Sequence, residues 1–303
     1  VRRGREYGSA LSLEEALSAG PDQEQGLHFV CLCANLVRQF EFVQNAWIAS
    51  ARFDGLSGEA DPLLGNREPL EGGIATAHLM PGTGCAALTD SVRLTAPAAR
   101  LGCSGALMLP PFYYKNVSDD GLYRSYAEII EQVGNSSLRV YLYHIPQVAQ
   151  IGLSTDLIER LVKAYPETVV GIKDSSGDRD NLHQMIARFP GFSVIGGADP
   201  LMLEALPAGG AGCITAASNL VSRDLRVVFD GASDPTCDAV LAAQERIVAL
   251  RKLSVSYPQI PAIKAMLAQR YQDDAWLRTR PPLLPVSPAQ QAEIQARLPE
   301  IFA

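Results

Sequence analysis

The chain predicts an α/β fold: an incomplete (β/α)₈ barrel with about six strand–helix units. A C-terminal helical extension and an unrelated N-terminal strand–helix segment flank it. Three observations predict this. From about Gly82 onward, short apolar strands alternate with amphipathic helices six times in succession. After Asp234 the alternation gives way to long helical patterns. Residues 1–70 share neither pattern. Strands that alternate with helices build a parallel sheet through right-handed crossovers, and a long run of such units curls into a barrel.

The six strands are expected in HLMPGT (78–83), GALMLPPF (105–112), RVYLYHIP (139–146), TVVGIKDS (168–175), FSVIGGAD (192–199) and GCITAASN (212–219). Helices are expected over 88–101, 120–133, 154–165, 179–189, 200–206 and 222–229. Asp or Ser near several helix starts supplies an oxygen for the free amides of the first turn. Pro97 and Pro207 disturb this pattern, because a proline inside a helix costs about 3 kcal/mol. Long helices follow over 237–254 and 262–271, then the Pro-rich turn RPPLLPVS and a last helix from Pro288. In residues 1–70, GLHFVCLCAN reads as one strand and LVRQFEFVQNAWIASARF as one helix, followed by a turn-rich stretch. A complete barrel needs two strand–helix units before His78, so the count comes up short. Two sheet edges would then stay open, and inner-face residues such as Met108 and Val140 would lose partners.

Composition narrows the function. The chain has 303 residues, 47% hydrophobic and 19% charged, with a formal net charge of −7. That balance argues against nucleic-acid binding, which needs a basic face. The longest apolar stretch, Gly26 to Val37, is too short to cross a membrane. The start VRRGREYGSALS lacks the apolar core of a signal peptide and has no initiating methionine, so a fragment of a longer reading frame is expected. The six cysteines have no metal-like spacing. They read as small core hydrophobes in a reducing, cytoplasmic compartment. His78, His144 and His183 fall on separate units, so no metal site is expected. His144 is expected to point to the opposite side of its strand from Tyr143.

The chemistry is expected at the carboxyl ends of the strands, where barrels of this type carry their reactive groups. Lys173 ends VVGIK, Tyr143 ends VYLY one strand earlier, and Tyr113 and Tyr114 follow the strand before that. Gly82, Thr83 and Gly84, and the pair Gly196 and Gly197, occupy matching ends where small residues leave room for a ligand. A lysine amine attacks a ketone to form an iminium, and a nearby phenol shuttles the protons. The alternative is plain packing, with Lys173 snorkelling to solvent and the tyrosine hydroxyls bonded to backbone.

From about Leu70 to Ala303 the chain resembles the dihydrodipicolinate synthase / N-acetylneuraminate lyase family of Schiff-base aldolases and lyases. The segments that carry the resemblance are GTG at Gly82, LPPFYYKNVSDDGLY at Leu109, YLYHIP at Tyr141, GIKDSSGD at Gly171, AGGAGCITAASN at Ala208 and IPAIKAML at Ile260. The resemblance implies that Lys173 is the Schiff-base lysine and Tyr143 the catalytic tyrosine. It implies that Tyr114, with Tyr113 close behind, completes a proton relay across a subunit interface. Gly196, Gly197 and Ile214 match pocket-lining positions. It further implies a 2-oxo acid substrate such as pyruvate, no metal or organic cofactor, and a homotetramer. Two departures qualify it. The family's Thr-Thr turn for the substrate carboxylate is absent, and Val148 stands where the lysine-pathway synthases carry an arginine for the second substrate. The expected enzyme is therefore an aldolase or lyase on another 2-oxo acid, the alternative being a catalytically impaired remnant.

Residues 1–70 resemble the C-terminal part of dye-decolorising haem peroxidases through RRGREYG, GLHFVCLCANLVRQFEFVQNAW and GEADPLLGN. The resemblance matches Arg2 or Arg3 to that family's distal arginine. The iron-ligand histidine and the GxxDG aspartate have no counterpart, and His28 does not match the ligand position, so haem binding is not expected. The two resemblances imply a division into 1–70 and 71–303, with a junction between Asn66 and Glu71.

Overall fold

The computed structural model describes residues 2–7, 26–31 and 79–302. The chain divides into two compact units, Val1–His78 and Leu79–Ala303. In the first unit, β1 (Arg2–Tyr7) pairs antiparallel with β2 (Gly26–Cys31), Arg2 opposite Cys31 and Tyr7 opposite Gly26. β2 falls where an apolar strand is expected. β1 does not, because RRGREY has no apolar alternation to mark it. The helix expected after Asn35, the junction near residue 70, His78, and the side chains of Cys31, Cys33 and His28 lie outside the described residues.

The second unit is a parallel sheet in the order β3 (Ala106–Met108), β4 (Val140–His144), β5 (Val169–Asp174), β6 (Ser193–Gly196) and β7 (Gly212–Cys213). Every neighbour pair is parallel and follows chain order, as alternating units require. The connecting helices are α1 (Leu88–Arg100), α2 (Asp119–Val133), α3 (Pro146–Ala149), α4 (Thr155–Ala164), α5 (Arg179–Arg188) and α6 (Met202–Ala205). Side-chain caps start three of them. Ser118 accepts from the Gly121 amide, Ser154 from Leu157, and Asp178 from Asp180 and Asn181. Pro97 lies inside the last turn of α1, which runs on to Arg100 and ends where Gly102 turns the backbone to φ +72°; Pro207 falls beyond α6.

The strand expected at HLMPGT is reduced to a single parallel bridge, Gly82 to Leu107. Pro81 accepts from the Leu107 amide, and the Thr83 amide donates to the Leu107 carbonyl. Pro81 has no N–H of its own, so the ladder cannot extend through it.

Residue parity is the larger correction. Ala106, Met108, Val140, Leu142 and Ile172 are fully buried, in one cluster with Leu122, Tyr126, Leu157 and Ile158 from α2 and α4. Met108 and Val140 therefore face the helices, not the inner side of the sheet. The alternate residues Leu107, Tyr141, Tyr143, Lys173 and Ile195 form the other face and are half-buried. The expected core role of the cysteines is corrected for the four described: Cys237 is exposed, and Cys85, Cys103 and Cys213 are only partly buried.

The C-terminal helices α7 (Ser218–Asp230), α8 (Asp238–Val255), α9 (Gln259–Tyr271) and α10 (Pro288–Phe302) build a second core around Ile247, Leu250, Met266 and Ile294. α7 begins four residues before its expected start and carries a kink at Val221.

Candidate active site

The pairing of β4 with β5 decides what meets at the sheet's end. Val140 lies opposite Val169, but Tyr141 lies opposite Gly171, so Val170 is skipped. That irregularity shifts the register by one residue. Without it Tyr143 would lie opposite Ile172; with it Tyr143 lies opposite Lys173. An inserted residue of this kind re-aims the side chains that follow it.

Lys173 Nζ donates to Tyr143 Oη at 3.1 Å and sits 4.4 Å from the centre of the Tyr143 ring. Both side chains are half-buried, on the face of the sheet opposite the one that packs against α2 and α4. An amine and a phenol at this separation can exchange a proton directly. Tyr141 lies on the same face two residues earlier. A β-carbon on Gly171 would come within 2.5 Å of its ring, and one on Gly105 within 2.7 Å. The two glycines are therefore what lets a tyrosine ring stand between their strands.

Behind the pair, on the helix-facing side, lie His144 and Asp174, which are opposite each other in the register. His144 points away from Tyr143, as strand alternation dictates. Its Nδ1 accepts from the Leu153 amide at 3.0 Å. Burial holds the imidazole below its ordinary pKa, while Asp174 and Asp178 pull against that shift. Asp174 accepts from the Ser176 amide and from Asn181 Nδ2.

The remaining expected site residues are spread around the same end. Gly196 closes β6, and Gly197 follows it, donating to the Asp174 carbonyl. A β-carbon on Gly197 would lie 1.9 Å from Ser175 Oγ, so only glycine fits there. Ile214 follows β7, is partly exposed, and donates through its amide to Gly196. Gly82 is exposed. Thr83 is buried, and its hydroxyl accepts from Thr95 of α1 at 2.9 Å, so the side chain is engaged in the packing beneath α1. Tyr113 and Tyr114 are 72% and 73% exposed and contact each other edge-on at 5.2 Å. The structure brings Lys173 and Tyr143 together. It shows no contact between that pair and Tyr113 or Tyr114.

Sequence reasoning missed three features of this end. Asp199 is fully buried, accepts from Thr215 Oγ1 at 3.0 Å and lies 3.5 Å from Arg251 Nη1. Burial raises its pKa, and Arg251 opposes the shift. Cys213 is pushed up to about 12, first by burial and then by Asp199, against the pull of Lys173. Lys115 and Gln147 bond to backbone carbonyls of neighbouring loops. An aspartate in an apolar stretch, as in GGADPLM, is the one signal that could have flagged Asp199. Among the described residues, no group of three His, Cys, Asp or Glu side chains is placed to hold a metal ion, and no helix is long and apolar enough to cross a membrane.

Comparison with known proteins gives the family. The profile of the Dihydrodipicolinate synthetase family matches residues 73–301. An uncharacterized DapA-like lyase of Chloroflexus aurantiacus is 36% identical over 74% of this chain and 74% of its own length. A 4-hydroxy-tetrahydrodipicolinate synthase of Listeria monocytogenes is 30% identical over 77% of each chain. The crystal structure of dihydrodipicolinate synthase from Agrobacterium tumefaciens superposes with a TM-score of 0.68 at 28% identity, covering 77% of this chain and 78% of that one. The chain therefore belongs to the dihydrodipicolinate synthetase family of aldolases and lyases, and its parallel α/β sheet is the sheet of that family's barrel.

Proposed function

We propose that the chain is a class I aldolase or lyase acting on pyruvate or another 2-oxo acid through an imine on Lys173. The observation that carries this is the 3.1 Å contact between Lys173 Nζ and Tyr143 Oη at the carboxyl ends of adjacent strands. The neutral amine attacks the ketone carbon. The carbinolamine loses water, and the iminium withdraws electrons from the neighbouring carbon, which then breaks or forms a bond. Tyr143 returns and removes the protons at each step. Gly82, Thr83, Gly196, Gly197 and Ile214 surround this end, and Tyr113 and Tyr114 complete the relay from a neighbouring subunit of a homotetramer. Their exposure in the single chain supports that last role. Small-molecule substrates are the expected partners; no nucleic acid, membrane, metal or organic cofactor enters the reaction.

The reaction is not that of the lysine-pathway synthase. Val148 is 70% exposed at the rim, five residues after Tyr143, and offers neither charge nor hydrogen bond to a second carboxylate. The test is incubation with pyruvate and borohydride, read by intact mass. One stoichiometric adduct is expected; no adduct at saturating pyruvate removes the proposal.

A second reading has its own support. The family match begins at residue 73, the alignment with the Chloroflexus relative covers 74% of that protein, and the sequence holds no Thr-Thr pair for the carboxylate. We read the barrel as incomplete and the chain as two unrelated segments joined near residue 70, with 1–70 peroxidase-like. The boundary between compact units at His78 supports the division. On this reading pyruvate binds weakly, and hemin titration gives no saturable Soret shift.

A further inference from the structure

The geometry points to Lys115 and Gln147 as positioning residues that lash the rim loops of β3, β4 and β5 into one mouth. This rests on the Schiff-base reading for its functional meaning, but its structural half stands alone. Helix α3 begins three residues after Tyr143 and is only four residues long. Its internal hydrogen bonds use the carbonyls of Ile145 and Pro146, leaving those of Gln147, Val148 and Ala149 without a helical donor. Lys115 supplies one. Its ammonium donates to the Ala149 carbonyl at 3.1 Å and also to the Phe112 carbonyl in its own loop. From α3 itself, Gln147 Nε2 donates to the Ser175 carbonyl at 2.6 Å.

These two side chains connect segments that strand pairing alone does not join. The loop after β3 carries Tyr113 and Tyr114, α3 carries Val148, and Ser175 lies two residues beyond Lys173. Ser175 is in turn fixed by its amide bond to His144 and by the tight approach of Gly197. A long side chain loses rotamer freedom when it is held in one place. Exposed lysines and glutamines normally keep that freedom in water. Here both give it up to backbone carbonyls at the reactive end.

The lashes touch neither Lys173 Nζ nor Tyr143 Oη. They act on the exposed tyrosines and on Val148, and hence on proton transfer and on the second half of the reaction. Imine formation itself is left alone. A displacement of about 1 Å at such positions costs up to a hundredfold in rate.

The experiment compares wild type, Lys115→Met, Lys115→Arg and Gln147→Leu. Amide hydrogen exchange is the first readout. Residues 109–118 and 145–150 are expected to lose protection together in Lys115→Met, with 169–174 unchanged, and Lys115→Arg is expected to restore it. Gln147→Leu is expected to free 145–150 alone. Unchanged protection overturns the lash. The second readout is exchange of pyruvate methyl protons in heavy water, set against the rate of borohydride-trapped adduct formation. Lys115→Met is expected to slow methyl exchange about tenfold or more while adduct formation stays within about twofold of wild type. Equal loss of both rates, or loss of neither, overturns the role at the mouth. If the wild type forms no adduct, the Schiff-base reading fails and amide exchange alone decides the lash.

Discussion

The two faces of one sheet behave as different materials. On the helix side, Ala106, Met108, Val140, Leu142 and Ile172 are sealed beneath α2 and α4, and Asp174 and His144 are the polar groups at the end of that row. On the other side, the residues between them in sequence, Leu107, Tyr141, Tyr143 and Lys173, are half-buried. A single strand thus alternates between stability and chemistry at every step. The difference teaches where an amine can react. Full burial would hold Lys173 away from any substrate, and full exposure would surround it with water. Half-burial beside a phenol leaves it reachable and partnered.

Substitutions on the two faces should therefore separate activity from stability. The largest effect is expected at Lys173. Lys173→Met should abolish the pyruvate adduct, while unfolding in urea stays within about 1 kcal/mol of wild type. Retained adduct would place the imine elsewhere and dissolve the contrast between the faces. Next comes Tyr143→Phe, which keeps the ring and removes the hydroxyl. A fall of about 10²–10⁴-fold in methyl-proton exchange of pyruvate is expected, measured by proton NMR in heavy water. A change below tenfold would reduce Tyr143 to a packing ring.

On the opposite face, Leu142→Ala should cost about 2–5 kcal/mol in urea unfolding, because it opens a cavity under α2 and α4. A cost below about 1 kcal/mol would mean that the helix side is not the load-carrying core. The smallest effect concerns His144. Burial lowers its folded pKa below the unfolded value of about 6.5, so the unfolded chain binds the extra proton first. Its contribution is fully present above that unfolded value and is lost as pH falls from about 6.5 toward the folded pKa. His144→Gln should flatten the dependence of stability on pH in that window, read from urea midpoints. An unchanged slope would show that other groups carry it.

Much of this was legible in the sequence, and the failures have physical causes. The strand–helix order, the caps at Ser118, Ser154 and Asp178, and the placement of Lys173 and Tyr143 at strand ends follow from local patterns. The face of Met108 and Val140 does not. Met108 sits in GALML and Val140 in VYLY, each apolar or aromatic at every position, and a run without polar alternation carries no parity signal. The skipped Val170 is equally silent, although it sets Tyr143 opposite Lys173. β-branched residues read the same whether paired or bulged. Pro81 stands in plain view in HLMPGT, and its missing N–H explains why that strand shrinks to a bridge. Lys115 and Gln147 could not be read at all. Side-chain bonds to backbone atoms 34 and 28 residues away leave no periodic trace.

The most direct measurement is a crystal structure of the protein reduced with borohydride in the presence of pyruvate. Continuous density is predicted from Lys173 Nζ to the former ketone carbon, with Tyr143 Oη within hydrogen-bond reach of that nitrogen. Density on another lysine, or a Tyr143 hydroxyl turned away from the bonded carbon, would contradict the account.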